Sequence, residues 1–194
     1  MNRKARLFVE GEADKKFIHD YISFLMQGST NDLDIIRVGG WTEIPKTEPK
    51  FKENSNDNGV NLLILDADNN PPQRREQILN YKKNLGIEFE LFLLPNNVES
   101  GSLESLLCEI INTDHQLIFD CFDSYQECLK NNPAYQLPNL KSRIYAYLEA
   151  LLAKNQSELL KDSKRNYKNT DHWNLEHPYL NPLKEFLILD DYAY

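Results

Sequence analysis

The stretch LLILDADNN, residues 62–70, sets Asp66 and Asp68 one residue apart at the end of an apolar run. Strand neighbours at i and i+2 share a face, so both carboxylates can point the same way. At roughly 6 Å and an effective dielectric of about 20, two ionised carboxylates repel by about 3 kcal/mol. Three things can answer that cost: protonation of one carboxyl, N–H donors from the following turn, or a bridging cation. With oxygen donors and no His or Cys close by in the sequence, the cation would be a hard one, Mg2+ or Mn2+. The plainer alternative is that Asp68 joins Asn69 and Asn70 in an Asx-type turn before Pro71.

Three further acids bear on that choice. Glu10 closes the apolar run LFVE and would bring a third carboxylate to the same crevice if its strand lies beside that of Asp66. Asp14 follows one helical turn later, where an acid also has the ordinary role of complementing a helix dipole. Glu104 carries the same double reading just after Ser102, at the start of another helix.

These residues need strands and helices to position them, and the apolar pattern supplies both. ARLFVEG, LDIIRVGG, VNLLILDAD and IEFELFLLP read as four short strands, the third continuous rather than alternating, as when both faces of a parallel sheet are covered. Between them, ADKKFIHDYISFLM carries Phe17, Ile18, Tyr21, Ile22 and Leu25 at helical spacing, and Gln73 to Leu85 reads as a second helix. Thr42 to Phe51 is compatible with helix and ends in a flexible loop, ENSNDNG. GSLESLLCEII opens a further helix. Such βαβ alternation gives a parallel sheet with right-handed crossovers, and ligands then sit outside the carboxyl ends of the strands. Those ends carry Glu10 and Gly11, Gly39 and Gly40, Asp66 and Asp68, and Pro95 to Glu99. We therefore expect an α/β core over residues 1–112. Residues 113–194 form a helical extension packed on it, in which HQLIFDCFDSYQECL, LKSRIYAYLEALL and PLKEFLIL are helices and KNQSELLKDSKRNYKNTDHWN is the loosest piece.

Bulk composition narrows the function. A chain of 194 residues fits one core with an elaboration. A net charge of -8 argues against holding nucleic acid by bulk electrostatics, which needs clustered Lys and Arg. Cys108, Cys121 and Cys128 form no C-x-x-C pair and no even set, so they read as reduced, mostly buried thiols in a cytoplasmic protein. No apolar stretch approaches the roughly 20 residues that span a bilayer, and MNRKARLFVEGE turns acidic too soon for a signal peptide.

LFVEGEADKKFI followed by LLILDADNN resembles the Toprim domain of topoisomerases, primases and overcoming-lysogenization-defect nucleases. That family ends one strand with a glutamate in V-E-G and a later strand with D-x-D. The later LPNNVESGSLESLL is similar to the P…G-x-L-E segment of small, little-characterised Toprim-related bacterial and archaeal proteins. The likeness spans roughly Leu7 to Ile111 and implies a Rossmann-like parallel sheet of about four strands. It also implies Mg2+ (or Mn2+) on Asp66 and Asp68, Glu10 as proton-transfer group or shared ligand, and Asp14 and Glu104 as second-site ligands. The activity implied is nuclease-like phosphodiester chemistry on DNA or RNA, in DNA processing or phage defence. The sequence departs from the pattern where Asn69, Asn70 and two prolines follow the D-x-D, and no ATPase, helicase or strand-passage module accompanies it.

Two alternatives belong to other classes. One is a catalytically silent Toprim fold that senses or binds a protein partner. The other is a haloacid dehalogenase-type phosphatase, disfavoured because its D-x-D ends the first strand and here the motif ends the third. Lys15, Lys16, Arg74, Arg75, Lys82 and Lys83 fall on helices and read as solvated faces, whereas KDSKRNYK with Tyr167 offers charge and stacking to a single strand.

Overall fold

The computed structural model describes residues 3–28, 33–188 and 192–193. Four parallel strands, β1 (Arg3–Val9), β2 (Ile35–Arg37), β3 (Val60–Asp66) and β4 (Glu90–Leu94), are ordered β2-β1-β3-β4 in space. The register aligns Val9 with Arg37 and with Ile64, and Asp66 with Leu94, so all four carboxyl ends open on one edge. A fifth short strand, β5 (Tyr192–Ala193), pairs with the start of β1.

Alternate residues of each strand face opposite layers, and both layers are apolar. Leu7, Val9, Leu62, Ile64, Phe92 and Leu94 belong to one buried cluster; Phe8, Leu63, Leu65 and Leu93 belong to the other. The first is covered by α1 (Glu12–Leu25) and α4 (Leu103–Glu109), the second by α2 (Ile44–Asn56) and α3 (Pro71–Leu85). Helices on both faces of a parallel sheet make this an α/β Rossmann-like fold, as the unbroken apolar run of β3 requires. Beyond Thr113, α5 (Gln116–Lys130), α6 (Leu140–Leu151) and α7 (Asn181–Leu187) add their apolar faces to the α1/α4 cluster through Phe119, Ile144, Tyr147, Leu183 and Leu187. The α1/α4 face of the sheet and the C-terminal extension thus share one continuous apolar core, while the α2/α3 face keeps its own.

Four local expectations are corrected. ENSNDNG is not a flexible loop at its start: α2 runs through Asn56, because buried Asn54 donates to the Val60 carbonyl and to Asn61, both at 3.0 Å. The polar segment from Lys154 to Asn174 is not loose, since Arg165, Tyr167 and Trp173 are buried. Asp20, itself 1% exposed, accepts the Tyr167 N–H at 3.0 Å and pairs with Lys16, so Lys16 is no solvated-face lysine and the segment is pinned to α1. Cys121 and Cys128 lie exposed on α5 and Cys108 is half-buried, so the thiols are not mostly buried. The C-terminal helix ends at Leu187, and the expected residue Leu189 lies outside the described residues.

Candidate functional site

The strand order creates the site. From β1 the chain crosses to β2 on one side, then returns past β1 to β3 on the other, so the topological switch point falls between β1 and β3. Open α/β sheets bind ligands at that point. Glu10 follows β1 there and Asp66 ends β3; the Asp66 N–H donates to Glu10 Oε2 at 3.3 Å. Gly40 (φ +112°) carries the neighbouring strand end past this carboxylate, and a Cβ there would lie 3.9 Å from Glu10 Oε1.

Two helices bring their own acids. At the start of α1, Asp14 Oδ2 accepts the Gly11 N–H at 3.0 Å, which is half of a capping box, because Gly11 has no side chain with which to reciprocate. Its other oxygen, Oδ1, is buried without a hydrogen-bond partner. At the start of α4, Ser102 Oγ caps the Glu104 N–H at 3.2 Å and donates to Glu104 Oε2 at 2.8 Å. The preceding amide, Leu103 N–H, donates to Asp66 Oδ1 at 3.1 Å and ties α4 to the end of β3.

Glu10, Asp14, Asp66 and Glu104 therefore act on one another. Desolvation pushes Asp66 up to about 9, and the charges of Asp14, Glu10 and Glu104 push in the same direction. Desolvation likewise raises Asp14 to about 6, with Glu10 and Glu104 adding to it. Glu10 is raised chiefly by burial; the bond from Asp66 N–H and the Arg74 charge pull it back, and Asp68 and Glu104 push it up. Gathering carboxyls in this way makes protons harder to remove unless a positive charge joins them.

Asp68 is the exception. The strand stops at Asp66, the Ala67 N–H bonds to the Leu94 carbonyl, and Asp68 adopts a left-handed backbone (φ 52°). It exchanges backbone hydrogen bonds of 2.9 and 2.7 Å with Gly101, and its exposed carboxylate pairs with Arg74. Asp66 still belongs to the strand, and only Asp68 leaves its alternation behind. The repulsion at Asp66 comes mainly from acids on other elements, and the 3 kcal/mol expected between strand neighbours is not its source.

Sequence reasoning missed Arg74. Its side chain is only 14% exposed and its guanidinium lies 4.4 Å over the Trp41 ring, so it is not a solvated-face cation. The available signal was its place one turn into the helix that NNPP opens directly after the D-x-D. The opposite correction applies to Tyr167: fully buried against Phe17 and Trp173, it is closed to a stacking base.

Residues 4–188 match the model of a protein family of unknown function, DUF3226. The chain belongs to the DUF3226 family. No curated protein and no solved structure matches it. Among the described residues of this DUF3226 protein, no three His, Cys, Asp or Glu side chains are already gathered as a metal-ligand set, and no helix is long and apolar enough to cross a membrane. The donor chemistry nevertheless suits a hard cation: the donors are oxygens, one of them is buried and unpartnered, and Glu10, Asp14 and Asp66 hold their protons more tightly than free carboxyls.

Proposed function

We propose that this DUF3226 protein performs divalent-cation-dependent, nuclease-like phosphodiester cleavage at the switch point between β1 and β3, in the manner of Toprim enzymes. One observation carries the reading. Asp14 Oδ1 is buried with no hydrogen-bond partner, among Glu10, Asp66 and Glu104, an arrangement that favours an added positive charge.

Asp14, Asp66 and Asp68 would hold Mg2+ or Mn2+, with Glu10 as shared ligand or proton-transfer group and Glu104 as a further donor. Bound there, the ion would offset charge on the scissile phosphate and on the oxygens that exchange around it. Glu10 is suited to proton transfer because burial raises its carboxyl above the ordinary glutamate value while the Asp66 N–H fixes its orientation. Leu103 N–H fixes Asp66 in the same way. A dehalogenase-type phosphatase is not supported, since Glu10 follows β1 where that chemistry needs a nucleophilic aspartate. A second reading, a silent module that meets a protein partner, draws on the exposed Asp68 being already paired with Arg74.

Titration of Mg2+ and Mn2+ against thermal stability tests the site. At a hundredfold excess over Kd, binding stabilises by about 2.7 kcal/mol. For a chain of this size that raises Tm by about 5–10 °C. The rise should disappear in Asp66→Asn and shrink in Asp68→Asn. Cleavage of plasmid, single-stranded DNA and RNA, set against para-nitrophenyl phosphate, separates nuclease from phosphatase. A melting temperature indifferent to both cations would end this reading, whereas cation binding without cleavage of any substrate would favour the silent module.

A further inference from the structure

We propose that Arg74 is the phosphate-binding residue of this site, held in reserve by Asp68 and released to a nucleic-acid phosphate when a divalent cation claims the Asp68 carboxylate. The inference rests on the cation-dependent reading above and adds the residue that grips the substrate.

The geometry is that of an arginine kept close to the surface and under-used. Its guanidinium lies over the Trp41 ring, Cζ 4.4 Å from the ring centroid, and its side chain is largely shielded while that of Asp68 is 52% exposed. Nη2 donates to a single oxygen of Asp68, Nη1 reaches Gln77 Oε1 at a long 3.3 Å, and Nε is buried with no acceptor. A guanidinium offers five donors in a rigid fork matched to the paired oxygens of a phosphate, and one carboxylate oxygen leaves most of that fork unanswered.

The surroundings suit the same ligand. Arg74 borders an open cleft of about 340 Å³ beside the D-x-D, into which Asn69, Asn70, Gln73 and Gln77 bring amide donors and acceptors. That volume lies within the range of small-ligand sites and suits one nucleotide. The first two residues of α3 are Pro71 and Pro72, which have no N–H, and Asn70 occupies the Gln73 N–H. The helix terminus thus offers an anion little, and among the residues that line the cleft Arg74 is the one that brings a positive charge. Arg74 is also the cation whose charge is felt at Glu10, so it sits within electrostatic range of the reacting carboxyls.

The test uses the full chain with Ca2+ in place of Mg2+, so that binding is read without turnover. Its probes are a fluorescent single strand of about 12 nucleotides, as DNA and as RNA of the same sequence. Arg74→Gln should weaken strand binding about 10- to 100-fold, the worth of a charge-assisted bond. It should also reduce the slope of log K against log salt by about 0.7, one phosphate contact on a single strand. Cation affinity measured without the strand should tighten, because Asp68 loses its competitor. Arg74→Lys should restore the salt slope and only part of the affinity, since the charge returns without the fork. Opposite signs on the two ligands are what a merely structural ion pair would not produce. Unchanged strand affinity and slope in Arg74→Gln, with cation binding intact, would overturn this proposal alone, as would loss of both affinities together in a folded variant. A wild-type chain that binds no cation would overturn the cation-dependent reading and this proposal with it.

Discussion

Replacing Asp66 with Asn should stabilise the cation-free protein at neutral pH. Burial first, and then Asp14, Glu10 and Glu104, raise this carboxyl from its ordinary 3.8 to about 9. Between those values the native chain keeps a proton that the unfolded chain releases, so the folded state loses stability as pH rises through the window. At pH 7 the interval is about three pKa units, or about 4 kcal/mol at 1.36 per unit. Asp66 keeps partial contact with solvent, and screening lowers the expected gain on mutation to about 1–3 kcal/mol. The asparagine side chain retains the Oδ1 that accepts the Leu103 N–H, so the tie between β3 and α4 survives. Urea denaturation in a chelator, at about pH 4.5, 7 and 8.5, should show the variant more stable at the two higher values and level with wild type near the lowest. Saturating Mg2+ should then reverse the order, because the ion stabilises wild type and has lost a ligand in the variant. An Asp66→Asn variant no more stable than wild type at pH 7 and 8.5, or a gain that ignores pH, would refute the claim that Asp66 is the loaded carboxyl of the cluster.

Two other substitutions test what holds the site in place. Gly101→Ala puts a Cβ 2.4 Å from Ser105 Oγ at a φ of +145°, in the residue that bridges to Asp68. It should cost about 1–3 kcal/mol in urea denaturation and weaken the response to cation. Asp20→Ala leaves the buried Tyr167 N–H without its acceptor and Lys16 without its partner, so a loss of about 2–4 kcal/mol is expected. Limited proteolysis should then cut first between Ala153 and Asn169, and an unchanged digestion pattern would show that Asp20 does not pin that segment.

The sheet was readable because its constraint is local: an uninterrupted apolar run such as LLIL can only be covered on both faces, and that dictates parallel strands and helices in two layers. The placement of Glu10 beside Asp66 was readable in part. Both end strands, but β1 and β3 are neighbours only because β2 lies on the outer side of β1, and that order leaves no mark on spacing. Asp68 shows where periodicity misleads. Its i+2 spacing suggests a shared strand face, whereas the turn signal NNPP directly after it marks a chain already leaving the sheet, and Gly101 and Arg74 then decide where its two halves bond. The buried polar ties were the least legible. Asp20 and Tyr167 are 147 residues apart, so the second half of that hydrogen bond had to look like loop. The chemistry moves for the same reason. D-x-D drew attention through a repulsion between sequence neighbours, yet the charge that loads Asp66 arrives from the end of β1, the first turn of α1 and the first turn of α4. A site assembled from three elements is set by how the layers pack, so substitutions that shift α4 against β3 should alter cation affinity even where every carboxylate is kept.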